Sequence, residues 1–120
     1  MAARRRGETG SATAELALGV PLLVALTAGL VWMLAVGAAQ VRVIDASREA
    51  ARIVARGDDV ASAEAVALQV APESARVRIE VAGERVVVTT SARVSGPGGL
   101  LGSLPGVTVS AEAVAVVEES

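Results

Sequence analysis

Few groups in this chain can do chemistry. It contains no Cys, His, Tyr or Phe, which excludes thiolate and imidazole metal ligands and Cys/His or Ser/His nucleophilic pairs. What remains is charge. Glu15 stands directly before Leu16 to Ala39, a run of 24 uncharged, mostly apolar residues, and five residues beyond Gly10 in a tail that holds Arg4, Arg5 and Arg6. A carboxylate at the mouth of a hydrophobic segment resists burial unless a partner of opposite charge comes with it. Its chemistry is therefore ion pairing, and its position demands a partner. No catalytic residue, metal or cofactor is expected.

The elements that would position Glu15 follow from the apolar run. As a helix rising about 1.5 Å per residue it reaches about 36 Å, enough to cross a hydrocarbon core of about 30 Å with some tilt. All eleven basic residues are arginine, and the net charge is −2; without residues 1–10, which hold three Arg and one Glu, it becomes −4. Three arginines beside an apolar segment read as a cytoplasmic membrane flank, so no nucleic-acid partner is expected. Arg42, Arg48, Arg52 and Arg56 follow the run, and the arginine count alone does not orient it. A secretory signal is the rival reading, because Val36-Gly37-Ala38-Ala39-Gln40 offers small residues to a signal peptidase. Against it, the run exceeds the usual core of about 7 to 15 residues, and no Gly or Pro interrupts Val41 to Arg56.

Within the run, Pro21 removes a donor from the helical ladder and leaves the Ala17 carbonyl without its usual partner, which favours a kink. Small residues such as Ala25, Ala28, Gly29 and Ala35 permit close helix packing. Beyond the run, Val41, Ile44, Ser47, Ala51 and Val54 recur at steps of three and four and predict one narrow stripe that carries the globular part. Asp45 and Glu49 lie at ion-pairing distance in sequence from Arg48 and Arg52. Gly57 is placed to end the helix, Asp58 or Asp59 to cap a second one running to about Val70, and Pro72 to stop it.

From Ala75 the period changes to two, with Val77, Ile79 and Val81 alternating against Arg76, Arg78 and Glu80. Gly83-Glu84 suits a type II′ turn; Arg85 to Val94 and Val107 to about Val117 supply two more strands. The expected fold is α+β: a long N-terminal transmembrane helix extending into a small domain with a short helix and a three-stranded antiparallel sheet. The 64 residues beyond Arg56 hold no aromatic side chain, and a body of that size is marginal alone. The sheet is expected to lean on the helix. In the loop 95–106, Leu100, Leu101 and Leu104 are expected to fold back over the sheet or to offer an apolar contact.

Several features in order then become significant: Arg4-Arg5-Arg6, Gly10, Ser11-Ala12-Thr13-Ala14-Glu15, Leu16-Ala17-Leu18, Pro21 six residues after the acid, and Ala46-Ser47-Arg48-Glu49-Ala50-Ala51-Arg52. Together they resemble the class III prepilin signal and, more closely, the TadE-like family of pseudopilins or minor pilins of the tight-adherence (Flp/Tad) type IV pilus machinery. The resemblance is densest over residues 7–56. It implies cleavage by a prepilin peptidase between Gly10 and Ser11, with Glu15 the acid at the fifth mature position. The chain departs from many pilins in beginning the mature segment with Ser11 rather than an aromatic residue and in following the acid with Leu16.

The organisation implied is a leader of residues 1–10, a long helix over 11–56 with its membrane segment at about 16–39, and a small extracytoplasmic domain over 57–120. The function implied is that of a minor pilin, a structural subunit and not an enzyme. Its expected partners are the prepilin peptidase, other pilin subunits, pilus assembly proteins and membrane lipid, with the N-terminus cytoplasmic. Two alternatives stay open: an anchored accessory or binding subunit of a secretion or DNA-uptake apparatus, and a soluble protein cleaved near Ala39.

Overall fold

The computed structural model describes the backbone of residues 2–96 and 106–118, with side chains from residue 10 onward. Helix α1 spans Ala2–Ala55, α2 spans Val60–Val70, and the strands are β1, Arg76–Ala82, β2, Arg85–Val94, and β3, Val107–Val116. The chain divides into two compact units at the Met33/Leu34 junction, so the last part of α1 belongs to the same body as the sheet. The α+β architecture expected from the sequence is the one observed.

The first unit is helix. Its apolar side chains find no cover among the described residues: Leu16, Leu18, Leu22, Leu23, Met33 and others are exposed. The helix is long and apolar enough to cross a membrane. Helical structure is continuous through Pro21. Inside the span, the Thr27 hydroxyl donates to the Leu23 carbonyl at 2.8 Å, so the one hydroxyl of the apolar run needs no outside partner.

The second unit is a three-stranded antiparallel sheet in the order β1-β2-β3, covered on one face by residues 34–55 of α1 and by α2. The strands join as the turn chemistry demands. Ala82 pairs with Arg85 across a two-residue loop; Gly83 has φ +61° and Glu84 has no positive φ, the signature of a type II′ turn. Register then aligns Ile79, Val88 and Ala113, and beside them Val77, Thr90 and Ala111, on the covered face. The opposite face presents Arg78, Thr89 and Glu112.

Both helices end for identifiable reasons. Gly57, at φ +96°, donates its N–H to the Val54 carbonyl while Asp58 donates to Ile53, a Schellman closure that satisfies the last carbonyls of α1. The Asp59 carboxylate accepts from the Ala61 N–H at 3.3 Å and caps α2. At the other end of α2, Arg42 reaches across from α1 and donates to the carbonyls of Val70 and Ala71 at 3.1 and 3.2 Å. Past β3, Glu118 donates to the Ala55 carbonyl, tying the chain end to the end of α1.

The expected stripe on α1 needs correction. Val41 is 57% exposed, and Ile44 is only half-buried. The buried face is Ala39, Val43, Ala46, Ser47, Ala50, Ile53 and Val54, with Ala51 and Ala55 beside it. Alanine accounts for nine of the fifteen buried hydrophobic residues among those described, five of them on α1 beside the buried Val43, Ile53 and Val54, so small side chains supply much of the contact between helix and sheet. Contact of that kind fills space without aromatics, because a short side chain lets dense packing come from backbone proximity. Of the proposed helix ion pairs, Glu49 and Arg52 meet at 3.9 Å; Asp45 forms none among the described residues. The leucines of the 95–106 loop lie outside the described residues.

Candidate functional site

The residues singled out from sequence gather on α1. Gly10, Ser11, Glu15 and Pro21 are all helical and all exposed. A helix rise of about 1.5 Å per residue sets Glu15 about 6 Å along the axis from Ser11, one turn on. A Cβ built on Gly10 meets nothing within 4 Å, and its backbone is helical. The fold itself therefore makes no demand for glycine at that position.

Glu15 is the central observation. Its carboxylate has no ion-pair or hydrogen-bond partner among the described residues, and it is followed by Leu16, 67% exposed, and Leu18, 77% exposed. An acid adjoining bare apolar surface is stable where water reaches it. Once that surface is covered by lipid or by other helices, the charge requires a cation brought by the covering environment. The head of α1 is thus an incomplete site: a carboxylate and a long apolar cylinder, neither satisfied among the described residues.

The second unit holds the features that sequence reasoning missed. Ser47 donates its hydroxyl to Thr90 Oγ1 at 2.7 Å, with both residues fully buried, and lies 3.1 Å from the Ala111 carbonyl. That clasp ties α1 to β2 and β3 between two apolar clusters, one around Ala46, Ala50 and Val88 and the other around Ala39, Val43 and Val109. A serine inside an otherwise apolar helical stripe was the available signal, but its partner lies 43 residues away and depends on strand register. Arg42 as the cap of α2 is the other. Among the described residues, no group of three His, Cys, Asp or Glu side chains is placed to hold a metal.

Comparison with known proteins bears on the same segment. The family model described as TadE-like protein matches residues 10–52, which takes in Glu15, the apolar run and the first two thirds of the buried helix face. A protein of Mycobacterium tuberculosis (strain ATCC 25618 / H37Rv) named apoptosis inhibitor Rv3655c is 46% identical over 79 residues, covering 66% of this chain and 57% of that protein. The chain thus spans little more than half the length of this relative. No solved structure matches the chain.

Proposed function

We propose that this chain, TadE-like over residues 10–52 and so a Tad pilus-related protein with an apolar N-terminal helix, is a minor pilin that a prepilin peptidase cuts between Gly10 and Ser11. Before assembly it is a single-pass protein of the cytoplasmic membrane, its N-terminus inside and its sheet domain outside. Cleavage creates an α-amino group, largely cationic at neutral pH, at the same end of the helix as Glu15. When helix heads pack with an axial stagger, the amine of one subunit meets the Glu15 carboxylate of another. Correct register then removes two unpaired charges together, and any other register leaves both buried and uncompensated. Glu15 is a registry device.

The observation that carries this reading is Glu15, without a partner among the described residues, at the head of an apolar helix that the described residues leave exposed. The indifference of the fold to a side chain at Gly10 fits a glycine kept for an enzyme's recognition. Gly19, Gly29 and Ala28 within the span supply the small surfaces that let neighbouring helices approach, and Pro21 lets the helix bend as it leaves lipid. The partners are other pilus components: subunits, assembly proteins and the peptidase. Cleavage near Ala39 fits less well, because Ala39 lies inside α1 and packs with Ala92 and Val109.

Shearing surface filaments from cells that carry the pilus system tests the proposal. The chain should be recovered in the sheared fraction when the prepilin peptidase is active and should stay in the membrane when it is not. Recovery only in the membrane in both cases would favour an anchored accessory subunit.

A further inference from the structure

The end of the sheet domain from which the apolar run departs carries a cleft of about 480 Å³. Its floor is Ala35, Ala38 and Ala39, the last residues of the run, and its rim includes Glu73 and Arg93. The segments that carry the two charges are joined to each other. Ser74 Oγ donates to the Arg93 carbonyl at 2.9 Å and accepts from the Arg93 N–H at 3.2 Å, pinning the 72–74 segment to the end of β2. Gly106 lies so close that a Cβ there would sit 2.9 Å from Arg93 Nε and 3.1 Å from its Cγ, so the stem of Arg93, an exposed residue, passes over the Gly106 backbone.

Neither the Arg93 guanidinium nor the Glu73 carboxylate has an ion-pair or hydrogen-bond partner among the described residues, and they do not pair with each other. Arg42, also on the rim, already spends donors on the carbonyls of α2. The cleft therefore offers one free cation, one free anion and an apolar floor continuous with the membrane-length segment. We propose that it seats the headgroup of an ethanolamine-type phospholipid of the outer leaflet, with the phosphate on Arg93 and the ammonium on Glu73. Guanidinium and phosphate match as charge-assisted, bidentate partners, and the glycerol end of such a lipid lies where the alanine floor passes into the hydrocarbon. The proposal rests on the membrane-anchor reading and deepens it, from a chain that lipid surrounds to one that binds a particular lipid class.

The test uses the full chain in nanodiscs of phosphatidylethanolamine and phosphatidylglycerol, released for native mass spectrometry with retained lipids counted. Arg93→Gln should lower retention of both lipids about tenfold, the ratio equivalent to roughly 1.4 kcal/mol. Glu73→Gln should abolish only the preference for phosphatidylethanolamine. Arg85→Gln, at the hairpin end of the sheet and likewise unpaired, should leave retention unchanged. The proposal is overturned by undiminished retention in Arg93→Gln, by an equal loss in Arg85→Gln, or by displacement of the lipid with excess free glycerophosphate. Carbonate extraction of the same membranes reads the anchor separately: a chain released by carbonate would overturn the anchor reading and this site with it, whereas a retained chain with unselective lipid binding overturns the site alone.

Discussion

A single carboxylate carries most of the functional account. Glu15 was legible in the sequence because an acid against an apolar run is conspicuous; that no described residue satisfies it required the structure. Glu15→Gln should leave membrane insertion and cleavage intact while lowering the share of chain in sheared filaments on the order of tenfold, the equivalent of about 1.4 kcal/mol. Quantitative immunoblotting of membrane and sheared fractions measures it, and normal incorporation would sink the registry mechanism. The Ser47–Thr90 clasp makes a different prediction. Ser47→Ala strands the buried Thr90 hydroxyl and should destabilise the domain by about 1–3 kcal/mol, whereas the double variant Ser47→Ala/Thr90→Val, which removes both hydroxyls, should recover part of that loss. Chemical denaturation of the full chain in detergent reads both. Ser47 was visible in the helical stripe, but the residue that answers it was not, because a one-residue slip in register would have turned Thr90 to the other face.

At the scale of elements, local signals decided more than long-range ones. Strand alternation, the Gly83-Glu84 turn, the Asp59 cap and the Gly57 stop each depend on a few neighbouring residues, and each could be read before any tertiary contact was known. The face of α1 that meets the sheet could not. Steps of three and four from Val41 select Val41 and Ile44, but the face that meets the sheet runs through Val43, Ala46, Ser47, Ala50, Ile53 and Val54. Two substitutions separate these accounts. Val41→Gln should change stability by less than about 0.5 kcal/mol, as for an ordinary surface site. Ala50→Leu, at a fully buried position, should cost about 1–3 kcal/mol by overpacking. Gly57→Ala should cost about 1–2 kcal/mol because a Cβ is disfavoured at φ +96°. Thermal unfolding followed by circular dichroism ranks all three, and a destabilised Val41→Gln with a tolerant Ala50→Leu would restore the valine stripe.

Among the described residues, a body that satisfies its helix ends, caps and buried hydroxyls follows a helix whose apolar surface and Glu15 carboxylate are left open. That contrast fits a subunit made to be covered, first by lipid and then by its own kind. The membrane-length helix was legible from length and composition, and the TadE-like resemblance, matched by a family model over residues 10–52, from the order of its motifs; the cleft proposed to hold lipid was not, since it combines Ala35 and Ala39 with Glu73 and Arg93, which only the fold brings together. The central claim is that the chain matures at Gly10, and N-terminal sequencing with intact mass, on protein recovered from membranes of cells that express the prepilin peptidase, tests it most directly. The account predicts a chain that begins at Ser11 and does so only when the peptidase is active. An intact N-terminus in the presence of that enzyme, or a chain beginning near Gln40, would contradict it.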